Sequence, residues 1–265
     1  MIIKKIKQLI LIFSFMYIPY ASIAWGMLGH RVVGEIADSY LSPKAKAAIK
    51  DILGNETLAM ASNWADFIKA EPSYNYISSW HYINFKDGLS ETEMKAYLSV
   101  DTLTDAYTKI NFLVAQLKNK KLEKEKKIMY LRLLIHIVGD VHQPMHVSRE
   151  EDQGGNKIYV MWFNQKANLH SIWDSNLIDD QKLSYTEYTK AINHTTAAQR
   201  AVMQKQPVSH WLYDSYTIAQ KLYKEINQPE QRLSYRYIYD HIQIANDQLL
   251  KGGVHLAGLL NQIFA

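Results

Sequence analysis

The sequence predicts an all-α, single-domain multi-helix fold, interrupted by one short β-hairpin and loop insertion near residues 149–163. Three observations predict it. Apolar residues recur at three- and four-residue spacing through most of the chain after residue 25. The 265 residues are 48% hydrophobic, enough for one sizeable core. No internal repeat, low-complexity tract or linker divides them.

The first stretch differs from the rest. Lys4, Lys5 and Lys7 precede an apolar run at 9–18, and Ser22, Ile23 and Ala24 supply the small residues of a cleavage site. Residues 1–24 therefore read as a secretory signal peptide, and 25–265 as the working domain, secreted or periplasmic. The run is too short for a membrane span, so no membrane association is expected after cleavage. Losing those three lysines takes the formal charge from +4 to +1. Attraction to a polyanion must then be supplied locally, not by a basic surface. The chain has no cysteine, so disulfides and thiolate ligands are excluded, and any bound metal must use nitrogen and oxygen donors.

Helices follow in order over 28–41, over 45–53 with Ser42 as N-cap and Pro43 in the first turn, and over 58–68. Further helices are expected over 105–117, 123–142, 169–177, 208–226 and 232–264. Between 149 and 163, an acidic turn, Gly154-Gly155 and a β-prone run from 157 suggest a loop and short hairpin. Asp38 and Asp105 read as solvated or capping carboxylates, and the charge run at 118–127 as an exposed helix end.

Histidines and aspartates fall on this framework in a pattern. His136 and Asp140 are four apart and share a helix face, and Pro144 ends that helix so that His146 turns back toward it. His170 and Asp174 repeat the four-residue spacing. Asp66 lies in Trp64-Ala65-Asp66, His81 in a stretch expected to be extended, and His30 five residues after Trp25. Signal cleavage would free the Trp25 amine to chelate a metal with its own carbonyl oxygen. A lone helix histidine is more often a core residue than a ligand, but the set together points to metal. His142 reads as support for the ligands or as structure.

In order and spacing, these motifs, with Gly154-Gly155-Asn156, resemble the S1/P1-type single-strand nucleases, which share an all-α superfamily with zinc-dependent phospholipase C. The resemblance implies three zinc ions: one on Asp66, His81, His136 and Asp140; a second on the Trp25 amine and carbonyl, His30 and the shared Asp140; a third on His146, His170 and Asp174. It implies a zinc-bridged hydroxide attacking phosphorus while the third zinc stabilises the 3′-oxygen leaving group. Asp66 would orient the hydroxide and Lys69 counter the growing phosphoryl charge. Substrates would be single-stranded DNA and RNA, cut to 5′-phosphate products, and 3′-nucleotides. No stable protein partner is implied. Tyr82 would stack a base, with Asn84 and Asn156 at the same pocket. Asn84 departs from the family's usual Asp, and an amide both donates and accepts hydrogen bonds where a carboxylate only accepts. Tyr82 as core, Lys69 as a solvated charge and Asn156 as a turn residue are the plainer alternatives. Phospholipase C is the rival enzyme, disfavoured because that branch resembles a Glu version of Asp174. A non-catalytic zinc-binding exported protein is the rival from another class.

Overall fold

The computed structural model describes residues 25–265, and the expected signal peptide lies outside the described residues. Helix α1 (Met27–Ser39) buries Val32, Val33, Ile36 and Ala37. Helix α2 (Pro43–Leu53) starts as expected, with the Ser42 side chain accepting the Ala45 amide and Pro43 in its first turn. The helix expected over 58–68 breaks in two, α3 (Leu58–Ala61) and α4 (Trp64–Phe67), followed by a 3-10 turn, Ile68–Ala70. The break leaves the Ser62 carbonyl to a side-chain partner, His136. The stretch leading to His81, expected to be extended, is a 3-10 run, Pro72–His81, and the backbone extends only at Tyr82. Proline at its start needs no amide partner there. Strand β1 (Ile83–Asn84) follows.

Helix α5 (Glu91–Ser99) is not evident from apolar spacing, but Ser90 and Glu93 close a capping box at its start. Asp105 caps α6 (Ala106–Leu117) by accepting the Thr108 amide at 3.0 Å, in line with the capping reading. Helix α7 (Lys124–Asp140) is buried from Leu133 to its end. A 3-10 turn, Pro144–His146, then leads to β2 (Val147–Ser148), which lies parallel to β1.

The insertion is displaced from its expected place. Residues 149–158 are turns, and the hairpin is β3 (Tyr159–Trp162) with β4 (Gln165–Asn168), so it runs past 163. After it come α8 (Leu169–Ser171), a π-helical turn, Ile172–Asn176, and α9 (Leu177–Asp179), where a uniform helix was expected. Two short helices with capping boxes, α10 (Tyr185–Ile192) and α11 (Ala197–Met203), precede α12 (Val208–Glu225). Strand β5 (Gln231–Leu233) pairs in parallel with β3, so α13 (Tyr235–Ile263) begins three residues later than the spacing predicts.

Helix α13 runs along α1, and it packs closely because residue 253 is glycine: a Cβ there would overlap Ile36. The apolar faces of α1, α7 and α13 meet in one core that includes Trp25, Trp173 and Leu256, all fully buried. Burying one such side chain contributes roughly 1.5–3 kcal/mol. Among the described residues, no helix is long and apolar enough to cross a membrane.

Candidate metal centre

The end of α7 projects His136 and Asp140, one turn apart, into the interior. Asp140 Oδ2 lies 3.0 Å from His81 Nδ1 and 3.3 Å from His136 Nε2, and the two imidazole nitrogens are 3.0 Å apart. Asp66 Oδ1, from α4, is 3.7 Å from His136 Nε2. Donors bound at roughly 2.0–2.1 Å in a tetrahedron stand about 3.3 Å from one another. These separations suit several donors around one small cation.

The other oxygen of the same carboxylate, Asp140 Oδ1, faces His30 Nε2 at 3.2 Å. His30 comes from α1 and stacks on His136 with ring centroids 3.8 Å apart. It fits there because residue 139 is glycine, where a Cβ would stand 2.7 Å from His30 Nδ1. Trp25 is fully buried just before α1, and the adjacent Gly26 amide donates to the Asp174 carbonyl at 2.6 Å. A further group forms where the chain leaves the hairpin: His170 Nε2 is 3.0 Å from Asp174 Oδ2, and His146 Nε2 is 3.6 Å from Asp174 Oδ1. The π-helical turn containing Asp174 is a local departure of the kind that often marks functional sites.

Backbone carbonyls aim the rings. His136 Nδ1 donates to Ser62 O at 2.6 Å, His146 Nδ1 to His81 O at 2.7 Å and His170 Nδ1 to Gly154 O at 2.7 Å. Each bond puts the proton on Nδ1 and turns Nε2 toward its neighbours, the usual support for a metal-binding histidine. Gly154 meets His170 with a φ of +62°, and a Cβ there would lie 2.5 Å from the Met145 carbonyl. Asp152 pins this loop, accepting the Gly155 amide and the Arg149 guanidinium.

Several buried atoms in these groups make no hydrogen bond: Nε2 of His30, His81, His146 and His170, Asp66 Oδ2 and Asp140 Oδ1. Buried polar atoms left so are costly unless something else satisfies them. The donors are all nitrogen and oxygen, with three or more converging in each group, which fits zinc.

The charges agree with that fit. Burial alone would raise the Asp140 carboxyl, but His136, His30 and His81 outweigh it and hold it well below the usual carboxylate range. Asp66 is lowered in the same way, against its burial, by His136 and Lys69. Burial drives His136 down to about 3, leaving it neutral with a free lone pair at neutral pH. Burial also opposes charge on His146, yet the nearby carboxylates of Asp174 and Asp140 prevail and raise it to about 9.

The remaining expected residues lie around this centre or beside it. Lys69 Nζ reaches Asp66 Oδ1 at 2.7 Å, so it is engaged and not a free surface charge. Tyr82 is 43% exposed next to buried His81, which disfavours the core alternative. Asn84 pairs with Ser148 across β1 and β2. Asn156 donates to the Gln153 carbonyl at 2.8 Å and so closes its own turn. His142 turns away, donating to the Val138 carbonyl and facing His255 at 2.7 Å, so it supports the core and not the donor groups. Gln143 was not expected: fully buried, it donates to Asp174 Oδ1 and accepts the Met145 amide. Its only signal in the sequence is its place between His142 and Pro144.

A family model described as S1/P1 Nuclease matches residues 25–265. The chain is 29% identical over 270 residues to Endonuclease 2 of Arabidopsis thaliana, covering 91% of this chain and 90% of that relative. It is 30% identical over 171 residues to Nuclease S1 of Aspergillus oryzae, covering 61% of this chain and 57% of that one. It is also 31% identical over 156 residues to Nuclease P1 of Penicillium citrinum, covering 57% of each.

Proposed function

The chain belongs to the S1/P1 nuclease family, and from that premise we propose that it is an exported, three-zinc phosphodiesterase. It cuts single-stranded DNA and RNA, leaving 5′-phosphates, and also hydrolyses 3′-nucleotides. The observation that carries this reading is the convergence of three or more buried imidazole and carboxylate donors in each group, several of their atoms without a hydrogen-bond partner. Asp66, His81, His136 and Asp140 would hold one ion. The amine and carbonyl of Trp25, freed by signal cleavage, would hold a second with His30 and Asp140. His146, His170 and Asp174 would hold a third. Zinc at these positions supplies Lewis acidity, lowering the pKa of water to about 7 and offsetting charge on phosphoryl and leaving oxygens.

The chain's own residues do the rest. Asp140 presents one oxygen to each side of the centre, which fixes how close two ions would sit. Asp66, whose Oδ2 has no hydrogen-bond partner, would orient the attacking water or hydroxide. Lys69, held 2.7 Å from Asp66 Oδ1, would balance charge growing on the phosphoryl oxygens. Tyr82 offers a half-exposed ring for one base. A base must leave its duplex stack to reach such a ring, which gives the preference for single strands. Asn84 and Asn156 would meet the base edge, Asn84 with an amide that donates as well as accepts.

The test is hydrolysis by protein beginning at Trp25, offered single-stranded DNA, RNA, a 3′-nucleotide and phosphatidylcholine, with chelator and with zinc restored. Zinc-dependent release of 5′-phosphate ends is expected, and retention of a Met before Trp25 should abolish most of it. Cleavage of lipid alone would make the chain a phospholipase, and full zinc loading without turnover a binding protein.

A further inference from the structure

A band of aromatic rings lies beside the centre, and no step of the proposed reaction uses it. Trp64 meets Tyr74 edge-on at 5.7 Å, Tyr74 lies 6.1 Å from Tyr76, and Tyr76 meets Trp80 at 5.7 Å. Trp80 then contacts Phe112 at 6.4 Å, and Phe112 contacts Tyr130 at 5.6 Å. The band adjoins the donor groups at two points: Trp64 stands two residues before Asp66, and Trp80 immediately before His81. Its inner ring, Trp80, is 7% exposed, whereas Tyr76 is 52% and Phe112 37% exposed. Edge-on packing against Trp80 thus leaves two rings of the band open to solvent on rigid supports.

A cation accompanies them. Lys109 Nζ lies 4.9 Å from the Trp80 ring and 5.6 Å from that of Phe112. Lys109 and Phe112 are three apart on α6 and share a face. Among the described residues, Lys109 makes no salt bridge. The Tyr76 hydroxyl is raised by burial and by its neighbours Tyr74 and Tyr130, so it adds no negative charge. Exposed rings beside an ammonium that no carboxylate neutralises, on segments that lead into the donor groups, have the makings of a platform for single-stranded nucleic acid.

We propose that Tyr76 and Phe112 form an outer subsite that stacks bases of the substrate strand beyond the nucleotide at Tyr82, with Lys109 contacting a backbone phosphate. The inference rests on the nuclease reading. It makes long single strands better substrates than dinucleotides, because a strand that continues past Tyr82 gains the contacts of the outer subsite as well. Trp80 acts as a positioning residue that holds the two rings apart.

The test compares kcat/KM for a dinucleotide and for a long single-stranded oligonucleotide, using zinc-loaded wild type, Tyr76→Leu, Phe112→Leu and Lys109→Gln. Leucine keeps apolar bulk at half-exposed positions but removes the ring face. Each ring substitution is expected to lower kcat/KM about tenfold on the oligonucleotide, within the range for one stacked base, and to leave the dinucleotide unchanged. Lys109→Gln should also reduce the salt dependence of oligonucleotide binding by a log–log slope of about 0.7. Equal effects on both substrates, or no effect on either, would overturn the subsite. A wild-type enzyme that cuts neither substrate would instead overturn the nuclease reading. If the variants cut normally but lose the capacity to bind a protein, the band is a protein-docking face and the inference fails.

Discussion

Gln143 is fixed at both ends of its amide, its nitrogen on Asp174 and its oxygen on the Met145 backbone. It therefore sets which way the Asp174 carboxylate faces His146 and His170. Partners of this kind influence metal affinity by about 10- to 100-fold. Gln143→Ala is expected to weaken one of the bound ions by that factor while leaving the fold intact, checked by zinc content after dialysis against graded chelator. Unchanged retention of every ion would show that Asp174 needs no such support. Away from the centre, Asp105 is raised to about 6, first by burial and then by the adjacent Asp101 carboxyl. A carboxyl raised in the folded state favours folding at low pH, and that contribution is lost as pH rises through about 6. Asp101→Asn removes the like charge, so Tm should rise at pH 8 and stay near the wild-type value below pH 4. A gain of the same size at both pH values would rule out this cause.

At the level of elements, α7 and α1 meet through Gly139 and His30. Gly139→Ala would push a methyl group against the His30 ring, while improving intrinsic helix propensity. The expected outcome is a loss of activity of at least about tenfold, because a misplacement of roughly 1 Å costs about that or more, and reduced zinc content in a protein that remains helical by circular dichroism. The long helices could be read from apolar spacing because each buries one face against the others. What the spacing missed are elements set by something other than a buried stripe. Helices α5, α10 and α11 are short and announced mainly by Ser-x-x-Glu or Thr-x-x-Gln boxes. The break at Ser62, the 3-10 run into His81 and the π-helical turn at Asp174 all bend the backbone where donor side chains must converge. Strand β5 was hidden because its pairing with β3 joins residues about seventy apart in sequence.

Over the whole molecule, the donors were legible as residue types at set intervals, but their convergence was not. The nine expected ligands come from α1 and the segment just before it, α4, the 3-10 run, α7, the turn after it, α8 and the π-helical turn. Spacing within one helix shows that His136 and Asp140 share a face, and it is silent about Asp66 meeting His136. With that spread, a bound metal would cross-link distant elements. Removing zinc with chelator is expected to lower Tm by about 10 °C or more, given about 4 kcal/mol per ion held at a thousandfold excess over its dissociation constant and roughly 2–4 °C per kcal/mol at this size. Calorimetry before and after zinc is restored checks it, and a Tm indifferent to chelator would mean that the donors hold no structural ion.

His81 is placed to do more than supply one donor. Its ring faces Asp140 while its backbone carbonyl holds the His146 ring. Whatever locks the His81 ring in place therefore also steadies the peptide that orients His146. If both sides take ions as proposed, their occupancy would be mutually dependent, since an ion held by the His81 ring would also order a ligand of the other side. Titration with zinc should then be steeper than independent filling allows, and half-loaded molecules should be scarce.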